Sequence, residues 1–169
     1  VKIALDAGGD VCPVRKVAVI MRGLPGSGKS TLVAQLLDGT SAAVENGRVR
    51  VCSADSHLVD SGGTYNFSLA RRADAHAACW ADFNNALETN AAVVVLDNTN
   101  STLAEYDSYT ESAASHGYSV HVVEAVCTCS QDLEQMHARG KHTVPLDVVV
   151  RMKCRWQYDP ASILLDTLP

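Results

Sequence analysis

Aromatic residues are scarce: two Trp, two Phe and five Tyr make up 5% of the 169 residues. No stretch interleaves them with basic residues, so no stacking platform for single-stranded nucleic acid is legible. Basic charge is also in the minority, with 14 Lys and Arg against 19 Asp and Glu and a formal net charge of -5. That excludes a molecule-wide basic face for nucleic acid; any such contact must use a local patch. No apolar run approaches the roughly 20 residues of a membrane span, and no basic-then-apolar leader opens the chain. An intracellular, cytoplasmic protein without a membrane partner is therefore expected. Val1, not Met, comes first, and the expectation is that the natural N-terminus lies upstream. The six cysteines, at 12, 52, 79, 127, 129 and 154, form no CxxC pair. Buried, reduced thiols suit this pattern better than a disulfide scaffold, and Cys127-Thr128-Cys129 lacks the second pair a metal site needs.

What is present centres on Gly23-Leu24-Pro25-Gly26-Ser27-Gly28-Lys29-Ser30, the spacing of a phosphate-binding P-loop. A β-branched apolar run, Val17-Ala18-Val19-Ile20-Met21, precedes it, and the helix-forming Thr31-Leu32-Val33-Ala34-Gln35-Leu36-Leu37 follows. This strand–loop–helix context is what the motif requires. Glycines let the backbone curl so that successive N–H groups converge on phosphate oxygens, and the helix N-terminus adds partial positive charge. Pro25, Gly26, Ser27, Gly28, Lys29, Ser30 and Thr31 are the expected nucleotide contacts. Lys29 would reach the β- and γ-phosphates, and Ser30 would ligate Mg²⁺.

Along the chain, an arm over residues 1–15 precedes a single domain over 16–169. Strands are expected at 17–22, 48–52, 92–97 and 119–126, and 40–47 reads as a loop. A long amphipathic helix spans about 68–88, with Leu69, Ala73, His76, Ala77, Trp80, Phe83 and Leu87 as its apolar stripe. On that stripe His76 reads as a core histidine. A helix capped by Ser101 or Thr102 runs to Gly117. Another covers 130–138, and one opened by Pro145 carries Val148, Val149, Met152 and Trp156 and ends at Asp159-Pro160. The tail Ile163-Leu164-Leu165 must pack somewhere. Alternation of strand and helix predicts an α/β three-layer sandwich with a mainly parallel sheet and the P-loop strand central. Ligands then bind at the carboxyl ends of the strands, where the P-loop, Asp55 and Asp97 all fall.

Asp97 ends an apolar strand and is placed to hold Mg²⁺ together with Ser30. Asp55 follows the second strand, where a carboxylate can orient and deprotonate an acceptor hydroxyl. Arg139 lies in a Gly-containing break at 138–144, a candidate lid that brings positive charge over the triphosphate. Asn98, Thr99 and Asn100 either cap the next helix or contact substrate. Arg71-Arg72 and the group Arg151, Lys153 and Arg155 are candidate phosphate-backbone contacts as well as ordinary solvated helix faces. His142 reads as a helix-cap or loop residue rather than a catalytic one, and the histidines at 57, 116, 121 and 137 show no metal-ligand spacing.

Together these residues resemble the kinase domain of P-loop polynucleotide 5′-hydroxyl kinases, and more closely their small "ATP-binding protein-like" kinase relatives. The matching stretches are GLPGSGKSTL at 23–32, VCSAD at 51–55, YNFSLARRADAHAACWADFNNAL at 65–87, VVVLDNTN at 93–100 and ARGKHTVPLDVVVRM at 138–152. The spaced residues Glu105, Tyr109, Ala113, Gly117, Tyr118 and Val120 also match. The resemblance covers about residues 17–156. It implies an ATP- and Mg²⁺-dependent transfer of phosphate to a hydroxyl, with an RNA or DNA 5′-end among the acceptors it suggests. It implies Lys29, Asp55 and Arg139 as catalytic residues and Ser30 and Asp97 at the metal. Two departures bear on the acceptor: Ser56 stands where relatives carry a second acid, and Leu58 where polynucleotide kinases carry an arginine. A small-metabolite kinase and a non-catalytic nucleotide-binding switch are the alternatives. No base-specific motif separates ATP from GTP.

Overall fold

The computed structural model describes residues 15–38, 41–60, 62–66, 68–126, 130–140 and 144–165, with residues 42, 69, 130 and 131 as backbone alone. Five strands form one sheet among them: β1 Val17–Arg22, β2 Val49–Cys52, β3 Val93–Asp97, β4 Ser119–Ala125 and β5 Ile163–Leu165. Their order is β2-β3-β1-β4-β5, with every pairing parallel. The strand before the P-loop is thus central, and β3 lies beside it with Met21 opposite Asp97. The fold is the expected α/β one.

Continuous apolar runs suit β1 and β3 because both faces of each strand are covered. Ala18, Ile20, Val94 and Leu96 enter one core with Phe83, Leu87 and Tyr109. Val19, Met21, Val93 and Val95 enter the other with Val33 and Ala43. The first face carries α3 Leu69–Glu88 and α4 Asp107–Ser115; the second carries α1 Lys29–Leu36 and the short α2 Ser41–Glu45. Helices α5 Ser130–Arg139 and α6 Leu146–Cys154 form a third unit, where Met136 and Val149 bury against Leu24 of the P-loop.

Several expectations need correction. Residues 41–45 are helix rather than loop, because Ala43 packs on the sheet. The helix expected over 101–117 is broken at Tyr106 into a 3₁₀ turn, Leu103–Glu105, and α4. The break lets the Tyr106 hydroxyl donate to Asp159 at 2.6 Å. Pro145 is the cap of α6 rather than its first residue, with an extended ψ of 140°. That helix stops at Cys154, so Trp156 lies beyond it. The apolar tail is a strand, with Val123 opposite Ile163. On α3 the buried stripe is Ala75, Cys79, Phe83, Ala86 and Leu87, while Ala73, His76 and Ala77 are exposed. Small residues let the helix lie close to the sheet and turn the histidine outward. Cys52 and Cys79 are buried free thiols, Cys154 is exposed, and the other three cysteines lie outside the described residues. No described helix is long and apolar enough to cross a membrane. The arm at 1–15 falls almost wholly outside the described residues.

Arg22, at the end of β1, has its side chain fully buried. Nη1 donates to Glu124 on β4 at 2.9 Å, Nε to the Asn100 carbonyl at 3.0 Å, and Nη2 to the Gln157 carbonyl at 2.7 Å. Its plane lies over the rings of Trp156 and Tyr106, 4.8 and 5.2 Å from their centroids. Arg22→Met would strand a carboxylate and buried carbonyls, and the expected loss of stability is about 3–5 kcal/mol. Urea denaturation checks this; an unchanged midpoint would leave the guanidinium energetically idle.

Candidate active site

The P-loop is built between β1 and α1. Gly23 N–H donates to the Thr99 carbonyl at 3.0 Å, which fixes the loop's entry to the exit of β3. Ser27 N–H closes a turn onto the Leu24 carbonyl at 3.0 Å. Gly28, at φ 88°, caps α1 without a side-chain hydrogen bond, so no side chain competes for the first N–H groups of the helix. Gly26, at φ 77°, passes so close to α5 that a Cβ would overlap the Met136 carbonyl.

Lys29 Nζ donates to the carbonyls of Gly23 and Leu24 at 2.8 and 3.1 Å. Burial holds its ammonium below the usual lysine range, opposed by the charges of Asp97 and Asp55. The Ser30 hydroxyl donates to Asp97 Oδ2 at 2.8 Å. The other oxygen, Oδ1, is buried with no hydrogen-bond partner. An orphaned carboxylate oxygen beside a serine hydroxyl fits a hydrated divalent cation, which takes few protein ligands and completes its shell with water and phosphate. Among the described residues no three His, Cys, Asp or Glu cluster into a metal cage.

Asp55 lies three residues beyond β2 in a 3₁₀ turn, Ala54–Leu58, and is exposed. Its N–H donates to the Ser53 hydroxyl at 3.3 Å, and its Oδ1 accepts from the Tyr65 hydroxyl at 3.0 Å. Asn98 Oδ1 accepts from Ala54 N–H at 2.9 Å, and Asn98 Nδ2 reaches the Cys79 thiol at 3.5 Å. Asn100, at φ 50°, donates to the Met21 carbonyl at 2.8 Å. The three residues after Asp97 therefore lace β3 to β1 and β2. Capping falls to Thr102, which forms a capping box with Glu105.

One cleft joins these groups. The P-loop, Asp97 and Asp55 line it with Arg139 and Gly140 at the end of α5. Arg139 is the last helical residue rather than part of a loop, and 141–143 of the expected lid lie outside the described residues. Arg72, His76 and Trp80 of α3 and Arg151 of α6 line the same cleft. Burial, helped by Arg72, disfavours the charged form of His76. The other candidate basic residues divide by their partners. Arg71 is spent on the carbonyls of Asn66 and His57, Arg155 pairs with Glu105 at 3.1 Å, and Arg151 pairs with Asp147 on its own helix at 2.8 Å. Leu58 is core. Spacing alone does not distinguish Tyr65 and Arg22 as organising residues, because their partners are set by the fold.

A central parallel strand, a glycine loop at its carboxyl end and an Asp on the neighbouring strand define a P-loop nucleotide-binding domain of the kinase type. A family model described as AAA domain matches residues 19–157, and the chain belongs to that family. It is 31% identical over 143 residues to mouse (Mus musculus) 2′,3′-cyclic-nucleotide 3′-phosphodiesterase, covering 82% of this chain and 30% of that protein. Among solved structures, the Pnkp1/Rnl/Hen1 RNA repair complex aligns with a TM-score of 0.64 at 14% identity, over 83% of this chain and 44% of that one. Chaetomium thermophilum Kti12 in complex with ADP-AlF3 aligns with a TM-score of 0.61 at 15% identity, over 89% of both. The chain spans about a third of the mouse relative's length, and that enzyme's name describes the whole protein.

Gly26→Ala would place a methyl against the Met136 carbonyl at a left-handed φ, which costs about 1–3 kcal/mol before any clash is relieved. Hydrogen exchange should show residues 132–139 losing protection in this variant. Unaltered exchange there would mean that α5 is not seated on the loop.

Proposed function

We propose that this chain is an ATP-dependent kinase that transfers the γ-phosphate to a hydroxyl acceptor. The observation that carries the reading is the Ser30–Asp97 hydrogen bond with its orphaned carboxylate oxygen, in one cleft with Lys29 and Asp55. In this reading the loop N–H groups and the N-terminus of α1 cradle the phosphates. Lys29 exchanges its two loop carbonyls for phosphate oxygens. Bound Mg²⁺ would neutralise charge on the β- and γ-phosphates, with Ser30 and Asp97 as its protein contacts. Asp55 accepts the proton of the attacking hydroxyl. Arg139, which lines the same cleft, supplies further positive charge near the transferred group. A carboxylate and an arginine so placed favour an enzyme over a passive nucleotide switch.

For the acceptor, a nucleic-acid 5′-hydroxyl end is the favoured class. Arg72, His76 and Trp80 lie one helical turn apart on the cleft wall, a spacing of about 6 Å that suits successive groups of a nucleotide chain. Arg72 suits a phosphate, and Trp80 with an imidazole biased to neutrality suits base stacking. The similarity to a chain of an RNA repair complex is consistent with this class. A small-metabolite kinase would need no such ladder.

The deciding experiment measures ADP formed from ATP and Mg²⁺ with 5′-hydroxyl RNA and DNA oligonucleotides, a panel of small alcohols, or water. Labelled oligonucleotide product supports the reading; product on a small alcohol alone makes this a metabolite kinase; nucleotide binding with no turnover makes it a switch. Lys29→Ala should weaken ATP binding at least about tenfold by calorimetry, since a lost charge-assisted contact costs about 1.5–3 kcal/mol. Unchanged affinity would remove Lys29 from the phosphates. Asp55→Asn should bind ATP normally and turn over about 10²–10⁴-fold more slowly. Full turnover in that variant would make Asp55 structural.

A further inference from the structure

The segment after Asp55 doubles back on itself. Asp60 N–H donates to the Thr64 carbonyl at 3.0 Å, and Gly63 N–H returns to the Asp60 carbonyl at 2.9 Å. The Asp60 carboxylate accepts the N–H groups of Gly62 and Thr64, both at 2.9 Å. Val59 and Tyr65 form an antiparallel bridge, and Asn66 N–H donates to the Leu58 carbonyl at 2.7 Å. Arg71 pins the far end through the Asn66 carbonyl at 2.9 Å. This reversal returns the chain to Asp55 ten residues later, carrying a tyrosine whose ring packs on the core and whose hydroxyl meets Oδ1 at 3.0 Å.

An exposed aspartate at the start of a short turn can rotate both χ angles, so its two oxygens sweep several orientations. A general base needs one fixed orientation, because proton transfer requires hydrogen-bond geometry to the acceptor. We propose that Tyr65 is a positioning residue, whose hydroxyl holds Oδ1 of Asp55 so that Oδ2 is presented to the acceptor hydroxyl. The donor is durable. Burial, with the Asp55 charge adding to it, keeps the Tyr65 proton in place well above the usual tyrosine range. Backbone on both sides of the tyrosine is hydrogen-bonded, so the hydroxyl is delivered from a fixed frame. A hydroxyl that only satisfied its own need for a partner would not require this frame.

The inference rests on the reading of Asp55 as the base, and a two-by-two comparison separates their failures. Tyr65→Phe removes one oxygen and keeps the ring on the core, so the fold should stand, as thermal melting would verify. ADP formation is measured for the native chain, Tyr65→Phe, Asp55→Asn and the double variant, with a 5′-hydroxyl oligoribonucleotide and, in parallel, with water as acceptor. Tyr65→Phe should lower kcat about tenfold with KM for ATP unchanged, and should cause no further loss in the Asp55→Asn background. Equal losses in both backgrounds would show a general structural effect and overturn the proposal. So would full activity of Tyr65→Phe alongside a crippled Asp55→Asn, which leaves the base reading intact. Full activity of Asp55→Asn, or no ADP from the native chain with these acceptors and with the panel of small alcohols alike, overturns the base reading and the proposal with it.

Discussion

The buried guanidinium of Arg22 is the constraint on which the site's geometry depends. It ends the central strand one residue before the P-loop, and its bonds reach three separate segments: β4 through Glu124, the exit of β3 through Asn100, and the chain after α6 through Gln157. Removing a full charge from water is costly, and a buried ion pair seldom returns more than it costs. What it does return here is position. A planar fork has few arrangements that satisfy its donors at once, and the flanking Tyr106 and Trp156 rings restrict it further. Lysine, a flexible point charge, would supply the charge without the geometry. The consequence is that the start of the P-loop and the exit of β3, three residues past Asp97, are tied to one group.

A parallel sheet explains why the remaining groups converge. Every strand of β1, β2 and β3 points its carboxyl end the same way, so residues just past each strand share one edge. Short-range bonds then fine-tune what the sheet places coarsely. Asn98 ties the turn bearing Asp55 to the exit of β3 through the Ala54 N–H, and Thr99 ties that exit to Gly23. The asparagine-rich run after Asp97 thus laces three strand ends rather than capping a helix, while still lining the cleft.

This division also marks what could be read from residues alone. The P-loop is legible because its fixed positions follow from phosphate geometry, and the valine runs of β1 and β3 because strands covered on both faces admit little else. Asp55 and Asp97 follow from being next to strand ends. The face of α3 was misread for a physical reason. Counting His76, Ala73 and Ala77 as stripe ignores that Ala75, Cys79 and Ala86 allow a closer approach to the sheet. Close packing, not summed hydrophobicity, chose the buried face, and it turned His76 into the cleft. Arg22 and Tyr65 were illegible because their partners lie far off in sequence or across a reversal set by one Asp60 carboxylate. The short α2 and β5 depend on the sheet they pack against more than on their own composition.

The seat of α5 on the P-loop sets the terms on which a nucleotide enters. Leu24, Met136 and Val149 form their own small core, and Gly26 lies against the Met136 backbone. The loop is therefore braced from outside before any phosphate arrives, with Lys29 held inward on two of its carbonyls. A braced loop loses less conformational entropy on binding than a free one. In the proposed reading the lysine's exchange would replace two neutral acceptors with charged ones in a partly buried place, which strengthens its bonds. The same docking joins α5 to the loop, and Arg139 is the last residue of that helix. In the proposed reading Arg139 therefore works from the end of a packed helix rather than from a freely swinging loop.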